Sequence, residues 1–168
     1  MRALVIGRFQ PFHNGHLAVV REIAGDADEV LVGIAAAADD HTLDNPFTAE
    51  ERNEMVIRAL EEAVIHPFRI VDIPDIHNYP VWARYVVSLC PPFDLVVAHN
   101  DTTLDLFREI GYQVRKATPF DRDNHSGTRV RELMAEGGDW EGLVPPAVAG
   151  YLRSIQGPDR VRRLAGGE

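Results

Sequence analysis

The sequence predicts an α/β protein with a doubly wound parallel sheet of about five strands, helices on both faces and a C-terminal helical pair. Short apolar runs alternate along the chain with segments of helical periodicity, the pattern of successive strand–helix–strand units. The apolar runs are continuous and lack the in-and-out alternation of a half-exposed strand, as expected for parallel strands that are covered on both faces.

Two strand–helix units occupy the first part of the chain. We predict a strand at 2–7, a helix at 16–24, a strand at 29–37 and a helix at 48–63. The last of these has the clearest start, because Thr48 is followed three residues later by Glu51 in the spacing of a capping box. An apolar stripe at helical spacing then marks the face that this helix buries.

The same alternation continues through the rest of the chain. We predict strands at 68–73, 94–99 and 113–117, and helices at 79–90, 103–112 and 128–137. Apolar residues recur in a helical rhythm over 140–165, so we expect a helical pair there that braces the sheet. The whole chain, 1–168, is therefore expected to form one Rossmann-like domain with its ligand site outside the carboxyl ends of the strands.

Composition and charge exclude several classes of protein. The chain has 26 acidic and 17 basic residues, a net charge of −9, which argues against partners such as nucleic acid or an anionic membrane. No apolar run approaches the roughly 20 residues of a membrane-spanning helix, and the N-terminus lacks a signal-peptide pattern, so we expect a cytoplasmic protein. The single cysteine, Cys90, ends an apolar stretch and is interpreted as a core residue rather than a reactive thiol.

The loop after the first predicted strand carries most of the chemical information. It reads Gly-Arg-Phe-Gln-Pro-Phe-His-Asn-Gly-His over 7–16, and it matches neither the glycine fingerprint of dehydrogenases nor a kinase-type phosphate loop. His13 and His16 lie three residues apart at a helix start, where backbone N–H groups favour anions, and Arg8 precedes them. This combination suits a polyphosphate. A zinc site is the weaker alternative, because no cysteine or acidic third ligand is close in sequence.

A second candidate anion site lies near the end of the chain. The segment His-Ser-Gly-Thr-Arg-Val-Arg at 125–131 begins a predicted helix. Ser126 can cap that helix while the Gly127 and Thr128 amides face outward, and Arg131 can close over a β- or γ-phosphate. An ordinary capped helix would explain this segment alone, but two such helix starts in one chain favour a nucleotide.

These two segments resemble the motifs of a known family. The 7–16 loop is similar to the H-x-G-H motif of the nucleotidylyltransferase superfamily, and most closely to its archaeal-type nicotinamide-nucleotide adenylyltransferases. The second family motif, [IVY]-S-G-T-x-[IV]-R, resembles residues 125–131. The segments 45–52, 75–82 and 91–94 are also similar to that family and occur in the same order.

The resemblance implies an ATP site and a set of catalytic residues. The implied ATP-binding residues are Gly7, Arg8, Phe9, His13, Gly15, His16, Ser126, Gly127, Thr128 and Arg131. Among them His16 would donate to the α-phosphate, His13 and Arg8 would orient the phosphates, and Arg131 would steady the departing pyrophosphate. Mg²⁺ would arrive with ATP, because this ion is commonly held by substrate phosphates and water.

The resemblance also implies a site for nicotinamide mononucleotide. It further implies that the protein is a homo-oligomer, and a hexamer is one of the oligomeric states expected for this family. Trp82 would stack on the nicotinamide ring, and Asp75 and Asn78 are the polar candidates beside it.

The sequence departs from the family pattern around the acceptor side. Residues 35–41 replace a Gly-Ser-Ala-Gln-like turn, Asp44 stands where some relatives carry a basic residue, and His-Asn-Asp at 99–101 replaces Ser-Gly-Asn. These departures leave open a transferase of the same superfamily with a different phosphorylated acceptor, such as phosphopantetheine or a CTP-dependent alcohol phosphate. A non-catalytic nucleotide sensor on the same fold is the weaker alternative, because a sensor should lack a complete H-x-G-H and second phosphate motif, and both are present here.

Overall fold

A computed structural model describes residues 1–121 and 125–166 and contains a five-stranded parallel sheet. The strands are β1 (Arg2–Gly7), β2 (Glu29–Ala35), β3 (Phe68–Ile73), β4 (Leu95–Ala98) and β5 (Gln113–Lys116). Their order across the sheet is β3-β2-β1-β4-β5, and every neighbouring pair is parallel. The predicted fold class is confirmed, including the reversal of strand order, which falls between β1 and β4.

Seven α-helices and one short 3₁₀ turn, Glu141–Leu143, belong to the described part of the chain. The helices are α1 (Asn14–Asp26), α2 (Ala49–Glu62), α3 (Tyr79–Leu89), α4 (Asp101–Glu109), α5 (Gly127–Glu136), α6 (Pro146–Ser154) and α7 (Gly157–Leu164). The start of α2 matches its prediction, because Thr48 and Glu51 form the reciprocal hydrogen bonds of a capping box at 2.9 and 3.0 Å.

Several boundaries differ by one to three residues from the sequence prediction, such as the start of α1 at Asn14 and the end of α4 at Glu109, and two of the differences have a clear local reason. The second strand ends at Ala35, because Ala36 adopts a left-handed backbone with φ of 48° and cannot continue the strand. The fourth helix begins at Asp101 and not at 103, because the side chain of Asn100 accepts a hydrogen bond from the N–H of Thr103 and caps it.

Each face of the sheet is covered by its own apolar core. Side chains of α1, α2, α5, α6 and α7 pack on one face. Side chains of α3 and α4 pack on the other, where Phe107 is the largest fully buried side chain. Alternate residues of the strands point into each core: Ala3 and Val5 of β1 belong to the first, and Leu4 belongs to the second.

The predicted C-terminal helical pair is α6 and α7, which contribute to the first core. Arg160 of α7 binds both carboxylate oxygens of Glu51 at 2.6 and 2.8 Å and the carbonyl oxygen of Pro46 at 3.0 Å. The same carboxylate caps α2, so this bidentate pair fastens the C-terminal helix to the start of α2.

Because Arg160 and Glu51 are paired, stability should depend on pH. Partial burial alone would raise the pKa of Glu51, but the bonds from Arg160 and Thr48 hold that pKa below its ordinary value of 4.5. A carboxyl whose pKa is lowered by folding stabilises the folded state above its unfolded pKa and loses that contribution as pH falls through the folded pKa. Thermal unfolding of Glu51→Gln should therefore show a Tm deficit at neutral pH that shrinks below pH 4.5. The exposed Glu61→Gln is the control, and a deficit that stays constant down to the acid limit would contradict the pairing.

Two smaller expectations concern Cys90 and the membrane. Cys90 is partly buried against the second core, and burial raises the pKa of its thiol to about 11, so the group stays protonated at neutral pH. None of the helices in residues 1–121 and 125–166 is long and apolar enough to cross a bilayer.

Candidate active site

A cleft of about 680 Å³ opens at the carboxyl ends of the strands and spans the β1–β4 boundary. This is the position at which open α/β sheets bind ligands, and the volume lies in the range of small-molecule sites. All residues that the sequence predicted for the site line this one cleft: Gly7, Arg8, Phe9, His13, Gly15, His16, Asp75, Asn78, Trp82, Ser126, Gly127, Thr128 and Arg131.

The two histidines form the N-terminal cap of α1. His13 is the N-cap residue, and its Nδ1 accepts hydrogen bonds from the N–H groups of Gly15 at 3.0 Å and His16 at 3.4 Å. The Nδ1 of His16 accepts in return from the N–H of His13 at 3.1 Å. This is a capping box in which imidazoles replace the usual hydroxyl and carboxylate. Because both Nδ1 atoms accept, both rings are held in the tautomer that carries its proton on Nε2.

Aromatic packing holds the orientation of the His16 ring. His16 stacks on His13 with ring centroids 3.6 Å apart, and its centroid lies 4.7 Å from that of Phe9 and 5.4 Å from that of Phe12. Phe9 and Phe12 are almost completely buried. A ring fixed on both sides in this way loses little conformational entropy when it donates to a ligand.

Gly15 leaves the space that this arrangement needs. A Cβ at position 15 would lie 2.8 Å from Cε1 and 3.0 Å from Nδ1 of His13, and 3.3 Å from the carbonyl oxygen of His125. We therefore expect Gly15→Ala to displace the His13 ring, to cost roughly 1–3 kcal/mol of stability through overpacking and to lower turnover in the same variant. Gly25→Ala on the same helix is the control, because nothing lies within 4 Å of its added Cβ. Unfolding and steady-state rates of both variants test this, and full activity of Gly15→Ala would contradict the assigned role of Gly15.

The start of α5 forms the opposite wall of the cleft. Ser126 caps this helix by accepting from the N–H of Arg129 at 3.1 Å, as the sequence predicts. Arg131 donates from Nη1 to the carbonyl oxygen of Gln10 at 2.7 Å and from Nη2 to Thr128 Oγ1 at 3.4 Å. The first of these bonds joins the two sequence motifs directly across 121 residues.

The charges in the cleft favour an anionic ligand that brings more than one negative charge. Burial lowers the pKa of Arg131, the nearby Asp44 opposes that shift, and the positive charge of Arg8 lowers the pKa further. An arginine keeps its charge despite such shifts. Two guanidinium groups that repel each other across a cleft gain attraction to a shared anion, and the helix starts of α1 and α5 add their N–H groups.

Another part of the cleft is lined by the loop after β3 and by residues of α3 and α4. Trp82 lines the cleft and also packs edge-on against Phe107 at 5.7 Å between centroids, so its ring is both supported by the core and accessible. Asp75 accepts from the N–H of His77 at 2.7 Å. Asn78 is the N-cap residue of α3 but makes no capping hydrogen bond with its side chain.

Sequence reasoning missed several residues of the site. Gln10 is buried, and its amide binds the backbone of Phe47 in both directions at 3.0 and 2.9 Å, which holds the 7–16 loop against the segment before α2. The start of α4 borders the cleft through Asn100 and Thr103. The sequence placed the 99–101 segment beside the pocket as a departure from the family pattern but assigned none of its residues a binding role. Arg52, which is completely buried behind the loop, left no local signal.

The zinc site that the sequence left as the weaker alternative concerns the same two histidines, His13 and His16. Within 1–121 and 125–166 no three His, Cys, Asp or Glu side chains come together as a metal ligand set. The zinc interpretation of His13 and His16 is weakened further because one ring nitrogen of each accepts from the backbone.

The fold and the cleft together define an α/β protein with a ligand cleft where the strand order of its parallel sheet reverses. Residues 4–133 match the family model described as cytidylyltransferase-like. The chain is 44% identical over 164 residues to a nicotinamide-nucleotide adenylyltransferase of Methanococcus aeolicus, covering 98% of this chain and 95% of that protein. It is 47% identical over 166 residues to the enzyme of the same name from Thermococcus kodakarensis, covering 98% and 88%. The chain therefore belongs to the cytidylyltransferase-like family, in its group of archaeal nicotinamide-nucleotide adenylyltransferases, and the family resemblance predicted from the sequence is confirmed.

Solved structures support the same fold at low sequence identity. A bifunctional NMN adenylyltransferase/ADP ribose pyrophosphatase from Francisella tularensis superposes with a TM-score of 0.82 at 18% identity. The match covers 98% of this chain, which spans about half, 52%, of that longer protein. A putative nicotinate-nucleotide adenylyltransferase from Vibrio parahaemolyticus gives a TM-score of 0.67 at 16% identity over 96% of this chain and 94% of that one.

Proposed function

We propose that the protein joins ATP and nicotinamide mononucleotide to give NAD and pyrophosphate. The observation that carries the proposal is the meeting of two helix starts in one cleft: the histidine capping box of α1 and the Ser126–Arg131 segment of α5, joined by the bond from Arg131 to Gln10. The names of the archaeal relatives, at 44–47% identity over nearly the whole chain, support the same reaction.

The reaction is a transfer of the adenylyl group. An oxygen of the 5′-phosphate of nicotinamide mononucleotide attacks the α-phosphorus of ATP in line, and the bond from that phosphorus to the α,β-bridging oxygen breaks. The electron pair of that bond leaves with pyrophosphate. A phosphate monoester is already an anionic nucleophile at neutral pH, so the protein needs no general base and catalyses by positioning and charge stabilisation.

The residues of the cleft suit these tasks. His16 donates from Nε2 to the α-phosphate as charge builds, while His13 and Arg8 orient the phosphates. Arg131 and the amides of Gly127 and Thr128 bind the departing pyrophosphate at the start of α5. Gly7, Phe9, Gly15 and Ser126 complete the ATP site. Mg²⁺ enters as part of the substrate MgATP, since the described residues offer no metal cage of their own.

Trp82, with Asp75 and Asn78, is proposed to bind the nicotinamide end of the acceptor. Stacking of an aromatic ring on a cationic pyridinium contributes about 0.5–2 kcal/mol, so Trp82→Ala should raise KM for nicotinamide mononucleotide roughly 2- to 30-fold. The KM for ATP should change little. Trp82→Phe is the matched variant that keeps a ring and packing against Phe107, and it should retain most of the affinity. Equal changes of both KM values in Trp82→Ala would contradict the stacking role.

Pyrophosphate release and NAD formation, measured together, test the proposed function. The purified protein is supplied with MgATP and, in parallel, nicotinamide mononucleotide, nicotinate mononucleotide, phosphopantetheine or no acceptor. We expect equal amounts of pyrophosphate and NAD with the first acceptor. Pyrophosphate release in the phosphopantetheine arm and in no other would favour a transferase of the same family with another acceptor. ATP binding without pyrophosphate release in any arm would favour a nucleotide sensor.

The remaining features of the proposal concern the protein as a whole. We propose that residues 1–168 act as one nucleotidylyltransferase domain, in which 140–165 support the catalytic sheet from outside the matched family region. We also propose that it works in the cytoplasm as a homo-oligomer and not on nucleic acid or membranes, consistent with its net charge of −9.

A further inference from the structure

A completely buried arginine holds the ends of β1 and β2 from the side that does not line the cleft. Arg52 donates from Nη1 to the carbonyl oxygens of Arg8 at 3.0 Å and Ala35 at 2.9 Å. Its Nη2 donates to the carbonyl oxygen of Ala36 at 3.1 Å, and its Nε donates to that of Thr48 at 3.2 Å. One guanidinium therefore satisfies carbonyl groups at the ends of two neighbouring strands.

These bonds fix the direction of two peptide groups. The C=O and N–H of a trans peptide point in opposite directions. Because the carbonyls of Arg8 and Ala35 point to Arg52, the N–H groups of Phe9 and Ala36 point away from it, and both residues line the cleft. Within residues 1–121 and 125–166 neither N–H donates a hydrogen bond to another backbone group outside the sheet and helix ladders.

The backbone at both positions needs such support. Phe9 has a φ of 55° and Ala36 a φ of 48°, and this left-handed region is unfavourable for a residue that has a Cβ. One of these two residues follows the end of β1 and the other follows the end of β2. In both cases the carbonyl of the preceding residue accepts from the same atom, Nη1 of Arg52. Burial lowers the pKa of Arg52, while Asp72 and Asp39 oppose that shift.

We propose that Arg52 is a positioning residue, which turns the two peptides so that the N–H groups of Phe9 and Ala36 can bind phosphate oxygens in the cleft. The inference rests on the proposed function only in naming the phosphates as those of the reacting nucleotides. The side chain itself does not touch the substrate. It acts through two backbone amides, which would join the helix starts of α1 and α5 as anion donors.

The first test compares Arg52→Lys with Arg160→Lys. Lysine keeps the charge but lacks the planar fork that spans both strand ends. We expect Arg52→Lys, assayed well below its Tm, to lose roughly 10²-fold in kcat, since small displacements in a site cost about that much. Arg160 also makes several hydrogen bonds near the start of α2, to Pro46 and Glu51, but none to a carbonyl group of a residue that lines the cleft. Arg160→Lys should therefore lower Tm and keep kcat within about twofold of the unmodified protein. Normal kcat in a folded Arg52→Lys would overturn the proposal.

The second test does not depend on how a variant folds. Amide ¹H–¹⁵N spectra of the unmodified protein are recorded with increasing inorganic pyrophosphate. The proposal predicts that the Phe9 and Ala36 amides shift together with those of Gly127 and Thr128 at the start of α5. Shifts confined to α5 would overturn it. Because pyrophosphate binding requires no transfer reaction, shifted amides in a protein that forms no NAD would contradict the proposed function and still support Phe9 and Ala36 as the phosphate donors that Arg52 positions.

Discussion

Replacing His16 with alanine should lower kcat by roughly 10²- to 10³-fold, the usual cost of losing one donor to developing charge. The His16 ring is stacked against His13 and packed near Phe9 and Phe12, and its Nδ1 accepts from the backbone, so its proton lies on Nε2. Steady-state kinetics with MgATP and nicotinamide mononucleotide measure the effect.

A second substitution separates the catalytic role of His16 from its capping role. Alanine removes the cap acceptor and should also lower stability by about 0.5–2 kcal/mol. His16→Gln restores an acceptor of the usual capping-box type, so it should recover much of the stability without recovering turnover. If His16→Gln regained both stability and turnover, the loss of turnover in His16→Ala would be a consequence of lost structure, and His16 would not be a catalytic donor.

Replacing Arg131 with alanine should lower kcat/KM for ATP by roughly 10²- to 10³-fold, because a charged donor to the departing pyrophosphate is lost. Arg131 is mostly withdrawn from solvent, and this burial lowers the pKa of its guanidinium group. It lines the same cleft as Arg8 and Asp44. Arg131→Lys should lose part of this effect, since lysine keeps the charge without the fork. The KM for nicotinamide mononucleotide should change much less.

Arg108→Ala is the matched control for Arg131→Ala. Arg108 lies on the surface of α4, where its side chain is 60% exposed and pairs with Asp105, one helical turn earlier (i, i+3). The Arg108→Ala substitution removes one positive charge, as Arg131→Ala does, but it changes no residue of the cleft. Exposed ion pairs of this kind contribute little to stability. Comparable losses of kcat/KM in both variants would mean that net charge, and not the position of Arg131, governs the binding of ATP.

The sequence was most informative where chemistry depends on short segments. The motifs at the starts of α1 and α5 were predictable because each is a short local pattern at the beginning of a helix that follows a strand, and parallel strands all end at one edge of the sheet. The side chain of Ser126 and the capping box at Thr48 and Glu51 are local for the same reason. Each of these capping hydrogen bonds joins residues three positions apart, so the sequence spacing is enough to predict it.

The supporting contacts could not be predicted in this way. Gln10 reaches Phe47 across 37 residues, and Arg52 reaches Arg8 across 44 residues, so neither pairing leaves a pattern in nearby sequence. Nor does sequence spacing reveal that His13 and His16 cap the helix through Nδ1, because histidine is not a usual capping residue. These contacts follow from how the loops pack after the sheet has formed.

The fate of labelled phosphorus tests the central claim most directly. The protein is supplied with nicotinamide mononucleotide and MgATP that carries its label at either the α- or the γ-phosphorus. Attack on the α-phosphorus predicts that the α label appears in NAD and the γ label in pyrophosphate, and that the rates at which both products form fall by the same factor in His16→Ala. Label from the γ position in the acceptor product, or α label only in free AMP, would contradict adenylyl transfer in this cleft.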